Sequence, residues 1–478
     1  MIAIFRCWVP FLFLFFALKS AADVSSLSEL RAALSRGDQV IVISAGAEIV
    51  VPQGESPLRV TEATNIIRGA WVGPKPQIIA QDGNKPLFQV LPGANNVTFN
   101  NLFLQGHPTA VKPNHAAILA NNISGVIVKN SVIRSFNHGV FAAGEIDKLG
   151  NWLIENNLFE NIRRKSIAFN RRVDQGALLG PIVVRNNIIR RDARDPASLY
   201  HSESRAVAFD GGNVGETVID LRGTLIEGNT IENLSLAFSR VKNMTIGAGN
   251  KFIANTVTFS DIIHVEELSK NIRIVDNSFE PGSANPRQSL INLIGSEDIS
   301  VMRNSVTKPN SVATRFVTTR RYMNGLRIVN NNLSGLEITH GAKQIISIQS
   351  CGGNKVDISR NKWKTELGYK AYVGLGTFFW NDFDDLVLPK RSIEDLSQIE
   401  ASNQSLFNGI ASEINENLYY TCPNSDCRGV QGTVGSFTGE STAEQPVITR
   451  AVPACGPERN FFGGLIRKFG YQGWVPTF

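Results

Sequence analysis

Ile263-His264-Val265-Glu266 sets a histidine and a carboxylate on one side of an extended segment, because alternate side chains of a strand share a face. Segments of the same character recur before and after it: Ser166 to Arg172, Ala206 to Asp210, Ser235 to Ser239, Leu290 to Leu293 and Val317 to Arg320. With Ile167 and Phe169, Val207 and Phe209, Leu236 and Phe238, Ile263 and Val265, and Ile291 and Leu293 turned inward, one outward column collects Asn170, Arg172, Asp210, Ser239, His264, Glu266, Asn292, Thr318 and Arg320. A register slip of one residue would send any of them to the core. Guanidinium groups suit a negative charge that develops during reaction. A histidine of lowered proton affinity suits a general base. Arg172, Arg205 and Arg320 are therefore the expected charge-neutralising groups and His264 the expected base. Asn170, Asp210, Ser239, Glu266 and Asn292 are expected to hold substrate. Asp210 and Glu266 are also the candidate ligands of a calcium ion, the one cofactor this column suggests. The segment from Arg190 to Ser204, with Arg191, Arg194 and His201, is expected to wall one side.

What must position such a column is a repeat. An asparagine two residues before a bulky apolar residue returns along the chain, in Asn101-Leu102-Phe103, Asn130-Ser131-Val132, Asn157-Leu158-Phe159, Asn187-Ile188-Ile189, Asn229-Thr230-Ile231, Asn250-Lys251-Phe252, Asn277-Ser278-Phe279, Asn304-Ser305-Val306, Asn331-Asn332-Leu333 and Asn361-Lys362-Trp363. Its step is about 27 residues, with about 42 between Asn187 and Asn229, and a period of that size marks a solenoid. Val126-Ile127-Val128, Trp152-Leu153-Ile154, Ile182-Val183-Val184 and Ile272-Arg273-Ile274 precede these asparagines; short and rich in β-branched residues, they read as strands. Asparagine tolerates left-handed backbone angles, and its amide can bond the asparagine one coil away, so each asparagine is expected both to turn a corner and to join a ladder.

The pattern resembles the asparagine ladder of right-handed parallel β-helices, the pectate-lyase-like superfamily, over about 260 residues from Asn101 to Asn361. The resemblance implies an all-β right-handed solenoid. It does not select one function, because that architecture carries lyases, hydrolases, epimerases, esterases and adhesins. Coils such as Glu155-Asn156-Asn157-Leu158-Phe159-Glu160 are loosely similar to the alginate lyase and chondroitinase B type of polysaccharide lyase. That family's Lys-Ser pair has a counterpart in Lys165-Ser166, but no Arg-His-Gly follows one coil later, so no catalytic residue is carried over from it. The Arg-x-Pro-x-x-Arg motif of pectate lyases and the Asp-Pro-His motif of mannuronan epimerases are missing too.

Residues 1–22 join Arg6, an apolar run from Val9 to Leu18 and the small residues Ser20, Ala21 and Ala22, the layout of a secretory signal peptide. A secreted or periplasmic protein with no membrane span in its mature chain is expected. Removing Arg6 and Lys19 lowers the net charge from +6 to +4, a mildly basic balance that suits an anionic polysaccharide partner. Neither a nucleic-acid partner nor oligomerisation is expected. Ser26-Leu27-Ser28-Glu29 has capping-box spacing and Gly37 a stop, giving a helix that covers the N-terminal end of a solenoid spanning 23–361. Residues 362–478 read as terminal coils and an extension. In an exported chain Cys351, Cys422, Cys427 and Cys455 favour two disulfides, with three pairings open, over a zinc site.

The expected activity is β-elimination on a uronate-containing, alginate-like polysaccharide. The alternatives are a uronate C5-epimerase, an inverting glycoside hydrolase resting on Asp210 and Glu266, and a non-catalytic glycan-binding surface protein.

Overall fold

The computed structural model describes residues 22–363 apart from 63–65, 108–114, 174–177, 192–203, 212–217, 255–260, 267, 283–288, 339–343, 350–356 and 360, together with the strands 371–376, 418–421, 433–438 and 441–448. Cys351, Cys422, Cys427, Cys455 and residues 1–21 lie outside the described residues.

Each coil contributes up to three strands, and every strand pairs in parallel with its counterpart on the neighbouring coils. The first face includes Ala116–Asn121, His138–Glu145, Lys165–Val173, Arg205–Asp210, Ser235–Ser239, Asp261–Glu266 and the start of Ser289–Met302. The second includes Ile66–Gly69, Thr98–Asn100, Ile127–Lys129, Trp152–Glu155 and Ile182–Arg185. The third is a separate nine-stranded sheet from Glu48–Val51 to Ser278–Pro281. This is the parallel solenoid expected from the repeat.

Alternation along each strand fills the interior. In Ile182–Arg185 the first and third residues are buried and the others half-buried. Phe169, Phe209 and Phe238, expected inward, stack on one another with ring centroids 5.0 Å and 5.8 Å apart. Aromatic rings at equivalent positions of successive coils meet at such distances because the coil rise approximates one strand spacing.

The asparagine ladder runs continuously from Asn157 through Asn187, Asn229, Asn250, Asn277, Asn304 and Asn331 to Asn361, each side-chain amide donating to the next side-chain oxygen at 2.8 to 3.0 Å. Each amide also donates to a strand carbonyl of the preceding coil, as Asn277 does to Ile246 at 3.0 Å. All these asparagines are buried.

Two features of the corner differ from expectation. The left-handed backbone belongs to the residue before the ladder position: Asn156, Asn186, Gly228, Asp276, Arg303 and Asn330 have φ between 54° and 62°, and Gly249 has φ 87°. Asn101 and Asn130 occupy that turning position, with φ of 57° and 53°. Their coils are thus displaced by one residue relative to the reading that placed them in the ladder. The ladder position there is held by Leu102 and Ser131, and Ser131 makes the first link through its backbone N–H, which donates to Asn157 Oδ1 at 2.9 Å. Turning and bonding are separate duties, performed by adjacent residues.

The helix Leu27–Arg36 has the expected capping box at Ser26 and Glu29 and the left-handed stop at Gly37, and it buries Leu30, Ala33 and Leu34. Beyond Asn361, Ala371–Gly376 continues the first face by pairing with Gln344–Gln349, and Leu418–Thr421, Thr433–Thr438 and Ser441–Ile448 form an antiparallel three-stranded sheet.

Candidate functional site

Strand register on the first face converts the sequence column into two adjacent lines. Asn170, Asp210, Ser239 and Glu266 are direct partners on four successive coils. Two residues nearer the strand start, His264 is flanked by Ala237 on one side and by Asn292, then Thr318, on the other. The Glu266 line continues through Ile294 to Arg320. Asp210 and Glu266 therefore stand two coils apart, roughly 9 to 10 Å at the spacing of neighbouring strands.

Asn170, Asp210 and Ser239 are half-buried, so the line begins partly open to solvent. It runs into an ionic cluster that is almost closed. His264 and Glu266 are each 6% exposed, Asn292 3% and Asp261 2%. The His264 Nδ1 lies 2.8 Å from Asp261 Oδ2 and its Nε2 lies 2.9 Å from Glu266 Oε2. Asn292 Nδ2 donates to the same Asp261 oxygen at 3.0 Å, and Ser269 Oγ donates to the Glu266 carbonyl. Burial alone pushes His264 down, but the charges of Asp261 and Glu266 and their hydrogen bonds outweigh it and raise its pKa to about 10. Burial pushes Asp261 up; the charge and hydrogen bond of His264, with Arg205 and Asn292, outweigh that and bring it to about 2.

The geometry around His264 suits a role other than the base expected of it. A base needs lowered proton affinity and an open nitrogen, whereas His264 has raised affinity and donates both N–H groups to carboxylates at neutral pH. It is a clasp between two acids. Ile263 and Val265 on either side belong to the buried apolar core, while both ring nitrogens of His264 face carboxylates. Asp261 was missed. Its signal lay in plain view, an acidic residue opening the strand three residues before the histidine.

The arginines divide. Arg205 is buried at the start of its strand, in line with His138, Lys165 and Ser235, and its charge acts on Asp261, so it borders the cluster from one edge. The backbone of Arg172 lies beyond Asn170, the last residue of its strand to pair with the following coil, and that of Arg320 lies between Ile294 and Gln349. Arg190, expected in the loop wall, instead ends the third-face strand Ile188–Arg190 and shares Glu160 with Arg134. Arg194 and His201 lie outside the described residues.

A calcium ion does not fit the two acids proposed for it. Calcium asks for six to eight oxygen ligands. Asp210 and Glu266 are two coils apart, one Glu266 oxygen is held by His264, and among the described residues no group of three His, Cys, Asp or Glu side chains is placed to hold a metal ion.

A second cluster lies at the start of the same face. His115 is completely buried against Phe136, ring centroids 4.9 Å apart, and neither ring nitrogen has a hydrogen-bond partner among the described residues. Burial, then the charges of Arg163 and His107, lowers its pKa to about 4. Burial, then Lys165 and Arg164, lowers that of His138 to about 3. Both are neutral above those values.

No family model matches the chain, and no curated protein matches its sequence. Solved structures do. The surface adhesin PfbA of Streptococcus pneumoniae is similar over 75% of this chain and 100% of its own, with a TM-score of 0.54 at 12% identity. The A-module of the Azotobacter vinelandii mannuronan C-5 epimerase AlgE4 is similar over 75% of this chain and 94% of its own, with a TM-score of 0.48 at 13% identity. DFA-IIIase from Arthrobacter chlorophenolicus is similar over 74% of this chain and 97% of its own, with a TM-score of 0.45 at 12% identity. The similarity is one of fold. A shared fold of this kind does not by itself select a function.

Proposed function

We propose that the protein is an exported enzyme that cleaves an anionic, uronate-containing polysaccharide along the first face, by hydrolysis. The observation that carries this reading is the His264 clasp. A solenoid needs nothing ionic on an outward strand position, and buried charge costs several kcal/mol per ion unless it is fully paired. Here three charged groups and an amide converge at one end of a line of polar residues.

Hydrolysis with inversion uses two carboxyl groups about 6.5 to 9.5 Å apart, one protonating the leaving oxygen and one activating water. Glu266, aimed by His264, is the water-activating carboxylate in this reading, and Asp210 serves as the acid. Their separation of two coils stands at the upper edge of that range. Asn170 and Ser239 would hold sugar hydroxyls, and Arg172, Arg205 and Arg320 would attract the polymer's carboxylates. His264 is a positioning residue. Cleavage requires no metal in this scheme.

Elimination of the uronate, with C5 epimerisation as its variant, is the second reading, and Arg205 beside the acidic cluster favours it because a guanidinium can neutralise a C5 carboxylate. It needs a base other than His264. Product chemistry separates the readings: hydrolysis yields new reducing ends without unsaturated uronate, elimination yields the conjugated uronate with its ultraviolet absorbance, and epimerisation or mere binding yields neither. Glu266→Gln and Asp210→Asn should each abolish cleavage.

A further inference from the structure

Trp71 is 63% exposed and Val72 86%, the most solvent-exposed large apolar side chains among the described residues. They lie in the connection between the second-face strand Ile66–Gly69 and the third-face strand Gln77–Ala80, far from the first-face line in the chain's winding. An exposed indole offers a flat apolar face on which a ligand can pack, and three observations indicate which ligand.

First, the connection is fixed rather than loose. Ala70 N–H donates to Ile43 at 2.9 Å, Gly46 N–H to the Pro74 carbonyl at 2.9 Å, and Phe103 N–H to the Pro76 carbonyl at 2.9 Å; Asn101 Nδ2 donates to the Ala70 carbonyl at 2.7 Å. Gly69 has no room for a side chain, since a Cβ there would fall 2.3 Å from the Asn101 carbonyl oxygen. Trp71 is thus presented on a backbone tied to the coils on both sides, and a group held in place beforehand loses little entropy on binding.

Second, the indole has a cation beside it. The Arg68 guanidinium lies 5.4 Å from the Trp71 ring centroid, and Arg68 makes no ion pair among the described residues. Third, the surroundings are basic. Arg68, Asn100 and Lys129 are direct partners on three successive coils of the second face, and Lys129 too has no ion pair among the described residues. Lys75, from the same connection as Trp71, donates to Asn101 Oδ1 and, at 2.9 Å, to the Asn130 carbonyl. Only at the next coil does an acid appear, and that acid, Glu155, is paired with Arg185 at 2.8 Å.

We infer that Trp71, Arg68 and Lys129 form a second binding site, away from the reacting line, for the uronate polymer itself. A pyranose ring offers a C–H face that stacks on the indole face Arg68 leaves open, and a uronate polymer adds carboxylates that the Arg68 guanidinium over the ring would attract. Lys129, about 10 Å along the same face from Arg68 at two strand spacings, would meet the carboxylate of another sugar in the same chain. The inference rests on the substrate class proposed above but not on the chemistry of cleavage.

The test is affinity electrophoresis of the intact protein in native gels containing polygalacturonate or alginate, with neutral dextran as control, comparing wild type, Trp71→Ala, Trp71→Phe and Arg68→Gln. Wild type should be retarded by at least one polyanion and not by dextran. Trp71→Ala and Arg68→Gln should weaken retardation about tenfold in apparent affinity, a difference of about 1.4 kcal/mol, while Trp71→Phe keeps most of it. Circular dichroism melting checks that the variants are folded, as substitution of an exposed residue should leave them. Unchanged retardation in Trp71→Ala, or no retardation of wild type by either polyanion, overturns the inference. So does self-association of wild type that Trp71→Ala abolishes, for the patch would then be covered by a second copy. Loss of cleavage in Glu266→Gln with normal binding by Trp71→Ala would defeat this site alone. Loss of binding in Trp71→Ala, with no polymer cleaved by wild type, would defeat the proposed hydrolysis and leave the site standing.

Discussion

Replacing His264 with glutamine tests the clasp most severely. The substitution removes two charge-assisted hydrogen bonds, at 2.8 Å to Asp261 and 2.9 Å to Glu266, in a place where all three side chains are almost entirely buried. Hydrogen bonds to charged groups are worth roughly 1.5 to 3 kcal/mol each. Removing one partner of a buried ion pair costs about 3 to 5 kcal/mol, because the remaining charge stays buried without compensation. Glutamine can restore one bond at most, and Arg205 still balances part of the Asp261 charge. A loss of about 3 kcal/mol near pH 6 is therefore expected, by equilibrium urea denaturation followed through circular dichroism.

The pH dependence gives the test its sign. The pKa of His264 is raised from 6.5 to about 10, so its stabilisation is complete below pH 6.5 and is lost as pH rises toward 10. Asp261 is lowered from 3.8 to about 2, so its share is complete above pH 3.8 and is lost as pH falls toward 2. The gap between wild type and His264→Gln should be widest between pH 4 and 6.5 and should narrow steadily above 6.5. A gap that stays constant from pH 6 to 9.5, or no gap at pH 6, would refute the reasoning that His264 is an imidazolium held by two acids.

Asn277→Ala should cost about 3 kcal/mol in the same assay, because three buried hydrogen bonds, to Ile246, Asn304 and from Asn250, are lost together at roughly 1 kcal/mol each; Asn101→Ala, outside the ladder, should cost less. His115 and His138 have pKa values lowered to about 4 and 3, so the unfolded chain takes up more protons than the folded one below pH 6.5, and stability should fall as pH drops from 6.5 toward 4. His115→Phe, which keeps the stack on Phe136, should flatten that acid limb, read from melting temperature between pH 4 and 7. Trp71→Ala should lower polyanion affinity without lowering the melting temperature.

The fold was legible because a solenoid repeats its reasons: each coil needs the same inward residues and the same corner, so Phe169, Phe209 and Phe238 reveal one another. The corner was misread by one residue at Asn101 and Asn130 because asparagine serves both of its positions well, left-handed backbone at one and amide bonding at the next. Only the neighbouring coils, through Ser131 and Asn157, separate the two uses. The site was legible as a column and illegible as chemistry. Alternation placed His264 and Glu266 on one side, but a histidine's proton affinity depends on what lies within hydrogen-bond reach, and Asp261 reaches it from the first residue of the same strand. Arg190 misled for the complementary reason: its partner, Glu160, is 30 residues away in the chain and one coil away in space.

The reacting line is tested most directly by product analysis with a panel of alginate, polygalacturonate, glucuronan and glycosaminoglycans, with and without chelator. On at least one polymer, wild type should release reducing ends of inverted anomeric configuration, without unsaturated uronate and with chelator making no difference; Glu266→Gln and Asp210→Asn should each release none. Undiminished cleavage by both variants would contradict the account, and so would products that carry the conjugated double bond.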